Sequence, residues 1–160
     1  MDGEGKLSKA TFAAGSFWCA EPHFSYVAGV VSTTVGFTGG GEPAPGYAEV
    51  CAGGTGHVEA VEVVFDPARV SYEALLRIFW AILVPAKGQA SEPKEQHRPA
   101  IFHHDNGQRL AAEKSLRDLQ AVGRLPASVA VRIVPAEPFH PAEEYHQRYL
   151  EKRKLVGGRH

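Results

Sequence analysis

A serine and a cysteine lie three positions apart in the segment Gly15-Ser16-Phe17-Trp18-Cys19, where a short predicted strand gives way to a predicted helix. If the helix has begun there, Ser16 and Cys19 share one face about a turn apart. A thiol at a helix N-terminus is activated by the unpaired amide groups and the helix dipole. The alternative is structural: Ser16 caps the helix, the two aromatics belong to the core and Cys19 is a small buried hydrophobe. Residue types alone leave both interpretations open.

A glutamate in the predicted strand Val58–Phe65 is a second candidate for chemistry. Period-two alternation places Glu59 on the same face as the apolar residues two, four and six positions further on. A carboxylic acid held in an apolar setting can act as a general acid. The alternative is a strand buried only at its far end, which leaves His57 and Glu59 in solvent at the sheet margin. The strand pattern by itself slightly favours this solvated placement.

The chain has eight histidines and one glycine-rich segment, which are residue types that bind metals and phosphates. The adjacent His103 and His104 point to opposite faces of a predicted strand, and no Cys/His pair has zinc-ligand spacing. The segment 39–41 lacks the Lys-Ser/Thr of a phosphate loop, which favours a simple connection. We therefore predict no metal site.

The sequence predicts a mixture of strands and helices that could position these residues, and none of the helices is a long apolar one. Strands are predicted at 11–14, 30–37, 58–65, 100–103 and 129–134. A first helix is predicted after Gly15-Ser16, and Pro22 shifts its expected start to a later residue. A second helix is predicted at 71–83 with Ser71 as its N-cap. Two more are predicted at 108–122, ending at Gly123, and at 141–152, beginning with Pro141. Residues 85–97 are a polar loop. This mixture predicts an α+β fold with helices packed on a largely antiparallel or mixed sheet.

Length and charge restrict the functional classes. The 160 residues fit one domain, and we expect a disordered N-terminus at 1–9, the domain at 10–153 and a flexible tail at 154–160. A formal net charge of −1 argues against nucleic acid or a membrane surface as partner. The first ten residues carry acids and glycines rather than a basic, apolar leader, and only two cysteines occur, Cys19 and Cys51. These features predict a cytoplasmic monomer with free or catalytic thiols.

Taken together, these segments resemble the peptide methionine sulfoxide reductase A family. Residues 15–19 resemble its Gly-Cys-Phe-Trp-Gly/Cys signature, and residues 36–40 resemble its Gly-Tyr-x-Gly-Gly. The further matching segments follow in the family's order: 45–51, 55–61, 65–67, 96–102 and 142–147. The resemblance extends from about residue 10 to 153. It implies a two-layer α+β sandwich with a mixed sheet and a ferredoxin-like core.

The resemblance also implies the chemistry. In the family a cysteine attacks the sulfoxide sulfur and becomes a sulfenic acid, an aromatic pair holds the methyl group, and a glutamate with tyrosines binds the oxygen. Carried over, the methyl pocket falls on Phe17 and Trp18, the acid on Glu59 and one tyrosine on Tyr47. We also expect substrate contacts from the side chains of Phe37, Glu92 and His97. The implied reductant is an external thiol such as thioredoxin, glutaredoxin or dithiothreitol, without a bound cofactor.

The sequence departs from the family pattern at the reacting position. Ser16 stands where the family has its nucleophilic cysteine, and His97 stands where it has the second oxygen-binding tyrosine. The family's His-Asp-Pro-Thr reads Leu83-Val84-Pro85-Ala86, its Asn-Asp reads Ser91-Glu92, and residues 154–160 hold no cysteine. A hydroxyl is a poor nucleophile without a base.

Three functions remain open from the sequence. The first is reduction of methionine sulfoxide, with Cys19 or a native cysteine at position 16 as nucleophile and Glu59 as proton donor. The second is a relative that binds a sulfoxide-like ligand, or catalyses another reaction, in the same pocket. The third is a hydrolase that uses Ser16 with His97, oriented by Glu92.

Overall fold

A computed structural model describes residues 6–40, 46–83, 95–125, 130–149 and 152. The strands are β1 (Ser8–Ala13), β2 (Val30–Thr38), β3 (Val58–Phe65), β4 (Ala100–His103), β5 (Arg132–Pro135) and β6 (His140–Pro141). The helices are α1 (Phe17–Ser25), α2 (Tyr47–Ala52), α3 (Tyr72–Leu83) and α4 (Asn106–Ala121), with short 3-10 helices at Glu95–His97 and Glu144–His146. The described helices include none that is long and apolar enough to cross a bilayer.

The strands form one mixed sheet in the order β5-β4-β1-β3-β2-β6. Only the β4–β5 pair is parallel, and every other neighbouring pair is antiparallel. Alternate residues of the central strands, among them Phe12, Val61 and Ile101, pack with α1, α3 and α4 in the main core. The predicted α+β architecture with helices packed on a mixed sheet is confirmed.

Local sequence signals set most of these boundaries. The strands β3 and β4 begin and end where the apolar pattern predicts. Ser71 precedes α3, and its hydroxyl accepts the Ala74 amide at 3.0 Å, as expected of an N-cap. After α4, Gly123 has φ of 70°, a conformation that ends a right-handed helix. β1 begins at Ser8, two residues before the expected domain boundary.

The glycine-rich connection after β2 packs closely against the segment that leads into β3. The Gly40 amide donates to His57 Nδ1 at 3.1 Å. A Cβ on Gly40 would lie 2.4 Å from the Thr55 carbonyl oxygen, so only glycine fits there. This contact fixes the start of β3, which carries Glu59.

The expected late start of α1 is wrong. Helix α1 begins at Phe17 and includes Pro22. A proline inside a helix removes its own backbone hydrogen bond and crowds the carbonyl four residues earlier. Burial of Phe17, Ala20 and Phe24 against the sheet outweighs that loss.

The predicted helix at 141–152 is wrong over residues 141–148, where the described helical residues are those of the short 3-10 helix, whereas Tyr149 and Lys152 are α-helical. His140–Pro141 instead pairs with β2 as an edge strand. The Gln147 side chain then bonds both the amide and the carbonyl of Val35, and Arg148 has φ of 53°, which a right-handed helix cannot contain. Bonds to β2 therefore replace the local helical bonds.

Candidate active site

The start of α1 presents the serine and the cysteine of the sequence motif. Ser16 has an extended conformation, and its carbonyl accepts the amides of Cys19 at 3.1 Å and Ala20 at 3.0 Å. Its hydroxyl makes no capping bond, so the expected side-chain cap is wrong. Cys19 lies in the first turn and is exposed, which overturns its interpretation as a buried hydrophobe.

Glu59 lies under this helix start, and its carboxyl group is buried at 2% exposure. The Phe17 amide donates to its Oε1 at 3.0 Å, and its Oε2 lies 3.2 Å from His97 Nε2. The register of β3 against β2 sets Glu59 opposite Phe37, one pair from the end of this ladder, and both side chains are buried there. The solvated placement is therefore wrong.

This pair of groups can move a proton. A carboxyl group removed from water is stable only when it is neutral or paired, and His97 is its partner. The His97 side chain is 29% exposed, so it contacts solvent while Glu59 does not. The arrangement links bulk water through His97 to a buried acid at the N-terminus of α1.

An aromatic cluster lies beside the acid, with Trp18 and Tyr47 partly exposed and Phe17 buried. The Phe17 ring centroid lies 5.5 Å from that of Phe37 and 6.2 Å from that of Tyr47, and Trp18 stacks on Tyr47 at 5.8 Å. Phe37 is 1% exposed and lies in the core. Aromatic rings at these distances form an apolar surface that suits a small alkyl group.

Two further members of this cluster were missed by sequence reasoning. Trp18 stacks on Tyr149 at 4.1 Å, and its indole Nε1 donates to His146 Nδ1 at 3.0 Å. Among the described residues, Nε2 of His146 has no hydrogen-bond partner, and it lies 3.6 Å from a carboxylate oxygen of Glu143. Burial lowers the pKa of His146, which favours the neutral ring that Trp18 requires as acceptor. The segment 142–147 had been matched to the family, but no role followed from the match.

Tyr47, at the start of α2, supplies a hydroxyl group on the acid side of the site. Burial, a hydrogen bond with the Cys51 thiol and repulsion from Glu59 raise the pKa of Tyr47 to about 12. The phenol is therefore protonated at neutral pH and available as a donor. The Cys51 thiol also accepts the Gln96 side-chain amide at 3.1 Å.

The remaining predicted residues fall outside this arrangement or are not described. Glu92 lies outside the described residues, as do the changed positions 84–86. His97 bonds Glu59. The hydrolase hypothesis requires a hydrogen bond between His97 and Ser16, and none joins these two described residues. Within the described ranges there is no group of three His, Cys, Asp or Glu side chains that could hold a metal ion.

Comparison with known proteins identifies the family to which this chain is similar. The peptide methionine sulfoxide reductase family model matches residues 8–158. The MsrA proteins of Geobacter metallireducens and Listeria innocua are 48% and 47% identical over 155 and 150 residues, covering 96% and 92% of this chain and 96% and 85% of theirs.

Solved structures agree with this assignment. MsrA of Corynebacterium diphtheriae has a TM-score of 0.78 at 33% identity, over 93% of this chain and 76% of that one. Reduced Mxr1 of Saccharomyces cerevisiae has a TM-score of 0.80 at 28% identity, over 91% of this chain and 85% of that one. The chain therefore belongs to the peptide methionine sulfoxide reductase family, which is a family of oxidoreductases.

Proposed function

We propose that the sulfoxide binds over the N-terminus of α1, with its methyl group on the aromatic cluster and its oxygen toward Glu59. The observation that carries this proposal is the buried Glu59 carboxyl, held by the Phe17 amide and by His97 beside the rings of Phe17 and Trp18. A proton donor and an apolar surface meet at one helix start. A methyl sulfoxide has a polar oxygen and an apolar methyl group on the same sulfur, which matches both surfaces.

The proposed nucleophile of this chain is Cys19. Its thiolate attacks the sulfoxide sulfur, Glu59 protonates the oxygen, and the oxygen is transferred to Cys19 as a sulfenic acid while the sulfoxide becomes a thioether. The substrate sulfur is reduced by two electrons and the cysteine sulfur is oxidised by two. His97 and the Tyr47 hydroxyl hold the oxygen during transfer, and His97 returns a proton to Glu59 from solvent.

An external dithiol is proposed to close the cycle. Its first thiol displaces water from the sulfenic acid to form a mixed disulfide, and its second thiol releases Cys19 and leaves the reductant as a disulfide. Yeast Mxr1, one of the structural relatives, has also been solved in a complex with Trx2. A thioredoxin-type protein is therefore the proposed reductant, and the reducing cytoplasm, in which Cys19 and Cys51 stay free thiols, is the proposed location.

A second candidate is binding of a sulfoxide without turnover. The presence of Ser16, where the family resemblance puts its nucleophile, favours it. In that case the site retains the acid and the aromatic cluster but forms no sulfenic acid.

Turnover and trapping distinguish the two. Free and peptide-bound methionine sulfoxide of each sulfur configuration are incubated with the protein and dithiothreitol, and a parallel sample is treated with dimedone before mass spectrometry. We expect turnover of the S epimer, a dimedone adduct on Cys19, and loss of both in Cys19→Ala. The Cys51→Ser variant removes the other thiol while keeping an acceptor for Gln96, and it should retain the adduct. Binding of sulfoxide without turnover or adduct would support the second candidate instead.

A further inference from the structure

The 3-10 helix Glu95–His97 lies against the segment that joins α2 to β3. Each of its three side chains contacts a different part of that segment. Glu95 bonds the backbone amides of Gly54 and Gly56, Gln96 bonds Cys51, and His97 bonds Glu59. Three consecutive residues thus attach one short helix to the end of α2, the connecting turn and the start of β3.

The Glu95 contacts are the ones that fix the turn. Its Oε1 accepts the Gly54 amide at 3.3 Å, and its Oε2 accepts the Gly56 amide at 2.9 Å. Gly54 and Gly56 have φ of 91° and 80°, a backbone conformation that L side chains rarely adopt. The amides of two nearly adjacent glycines therefore converge on one carboxylate. These bonds, with a smaller contribution from Arg98, lower the pKa of Glu95, so the acceptor stays ionised under assay conditions.

Gln96 extends the connection to the oxygen-binding tyrosine of the proposed site. Its buried side-chain amide donates to the Cys51 thiol, one helical turn after Tyr47 on α2. The same thiol lies close enough to the Tyr47 phenol to help raise its pKa. His97 and Tyr47 are therefore held by neighbouring parts of one hydrogen-bonded assembly, which Glu95 anchors at its N-terminal end.

We infer that Glu95 is a positioning residue that holds His97 against the buried Glu59 carboxyl by anchoring the 3-10 helix to the Gly54–Gly56 turn. Glu95 touches neither the proposed substrate position nor Glu59, and it acts through the backbone of residues 95–97. The inference rests on the proposed function in one respect only, that the Glu59–His97 pair supplies the proton. The physical claim concerns where His97 is held.

The substitution Glu95→Gln tests this inference with little change in size. A neutral amide accepts one of the two glycine amides and presents an N–H group to the other. We expect hydrogen exchange of the Gly54 and Gly56 amides to accelerate about tenfold, as loss of a charge-assisted bond implies. We also expect modification of His97 by diethylpyrocarbonate, followed by mass spectrometry, to become several-fold faster because Nε2 leaves Glu59.

The control is Glu113→Gln, an exposed glutamate on α4 whose ion pair with Arg109 lies outside the site. It should leave both measurements unchanged, and circular dichroism should show all variants folded. Unchanged His97 modification in a folded Glu95→Gln protein, or an equal change in Glu113→Gln, would overturn the positioning role. If Glu95→Gln does not fold, Glu95→Asp is measured instead, and its shorter carboxylate should give an intermediate His97 reactivity.

A kinetic arm separates this inference from the proposed function. In a background with measurable turnover, Glu95→Gln should lower kcat more than it raises KM and should alter the pH profile of kcat, neither of which loss of a merely structural bond produces. Absence of turnover in every background would count against the proposed function while leaving the His97 reactivity result decisive for Glu95. Normal turnover and an unchanged pH profile, together with displaced His97, would show that His97 does not serve Glu59.

Discussion

The two halves of the site differ in how far the fold has organised them. On the acid side, Glu59 is buried and both of its oxygens have partners, and those partners are held in turn by α1 and by the Glu95–His97 helix. On the nucleophile side, the Ser16 hydroxyl makes no capping bond and Cys19 is exposed. The proposed proton donor is preorganised, while the proposed attacking atom is a hydroxyl oxygen at Ser16 or a solvent-exposed thiol sulfur at Cys19.

The comparison indicates which half limits the chemistry. A positioned general acid accelerates proton transfer, but it cannot replace a soft nucleophile that accepts oxygen and is later reduced. We therefore expect changes on the nucleophile side to alter turnover more than changes anywhere else. The following predictions test that order.

The largest effect is expected for Ser16→Cys. This substitution places a thiol at the start of α1, beside an intact acid and aromatic cluster, and should raise or create sulfoxide reduction by about a thousandfold or more. Initial rates with both epimers and dithiothreitol measure it. A folded variant that gains no activity would mean that His97 and the changed segment 83–95 have redirected the site, so the acid half would be the altered one.

Removal of the acid should have the next largest effect. Glu59→Gln keeps the size of the side chain and an acceptor for the Phe17 amide, but it removes the ionisable proton. We expect kcat to fall at least about a hundredfold, the lower range for general acid catalysis.

The matched control for this change is Glu62→Gln on the same strand, a half-buried glutamate that faces Lys9 at 3.7 Å and lies outside the site. Its turnover should stay close to that of the parent protein. Equal losses in the two variants would point to a general effect of β3 charge rather than to proton donation by Glu59.

A difference between local and non-local contacts explains what could be predicted from the sequence on the acid side of the site. The alternation along β3 is a local property and predicted the sheet face on which Glu59 lies, and the family resemblance pointed to the same residue. Whether that face is covered at Glu59 depends on α1, which begins 42 residues earlier in the chain. Alternation gives the face of a strand but not which of its ends another element covers.

The contribution of the C-terminal segment to the candidate site was not predicted, for a related reason. His146 meets Trp18 across a separation of 128 residues, and the segment that carries it is held by side-chain bonds from Gln147 and Glu21 to distant backbone groups. Helical periodicity at 141–152 is a local signal, and these non-local bonds override it. The segment that carries His146 could therefore be matched to the family by its motif, but its position beside the aromatic cluster could not be predicted.

A smaller effect is expected for Trp18→Phe, which keeps an aromatic ring but removes the indole donor. His146 Nδ1 then loses its partner in a buried position, which should lower the free energy of unfolding by about 1–3 kcal/mol. Because the ring that faces the substrate also changes, KM should rise more than kcat falls. Urea unfolding and steady-state kinetics measure the two quantities.

The matched control is Trp80→Phe, since Trp80 Nε1 makes a comparable bond of 2.9 Å to Ser115 between α3 and α4. It should lose a similar amount of stability with no change in KM. A raised KM in Trp80→Phe, or an unchanged KM in Trp18→Phe, would remove the aromatic cluster from substrate binding.

The smallest effect is expected from pH, and it arises on the aromatic side of the site. Burial lowers the pKa of His146 below its value in the unfolded chain, so the unfolded state binds more protons and stability rises with pH through this window. The contribution is complete above about pH 6.5, the ordinary histidine value, and is lost as pH falls from there toward the lowered pKa of the folded protein. Protonation also removes the lone pair of Nδ1 that accepts the Trp18 indole, so the indole N–H resonance should shift over the same range.

His104, which bonds Thr11 on β1, has a pKa lowered by burial as well, so its contribution must be separated. Urea unfolding of His146→Asn and His104→Asn between pH 5 and 7.5 does so. We expect His146→Asn to flatten part of the stability curve and to abolish the pH-dependent indole shift, while His104→Asn flattens the curve but leaves the shift. An indole shift that persists in His146→Asn would mean that another group titrates beside Trp18.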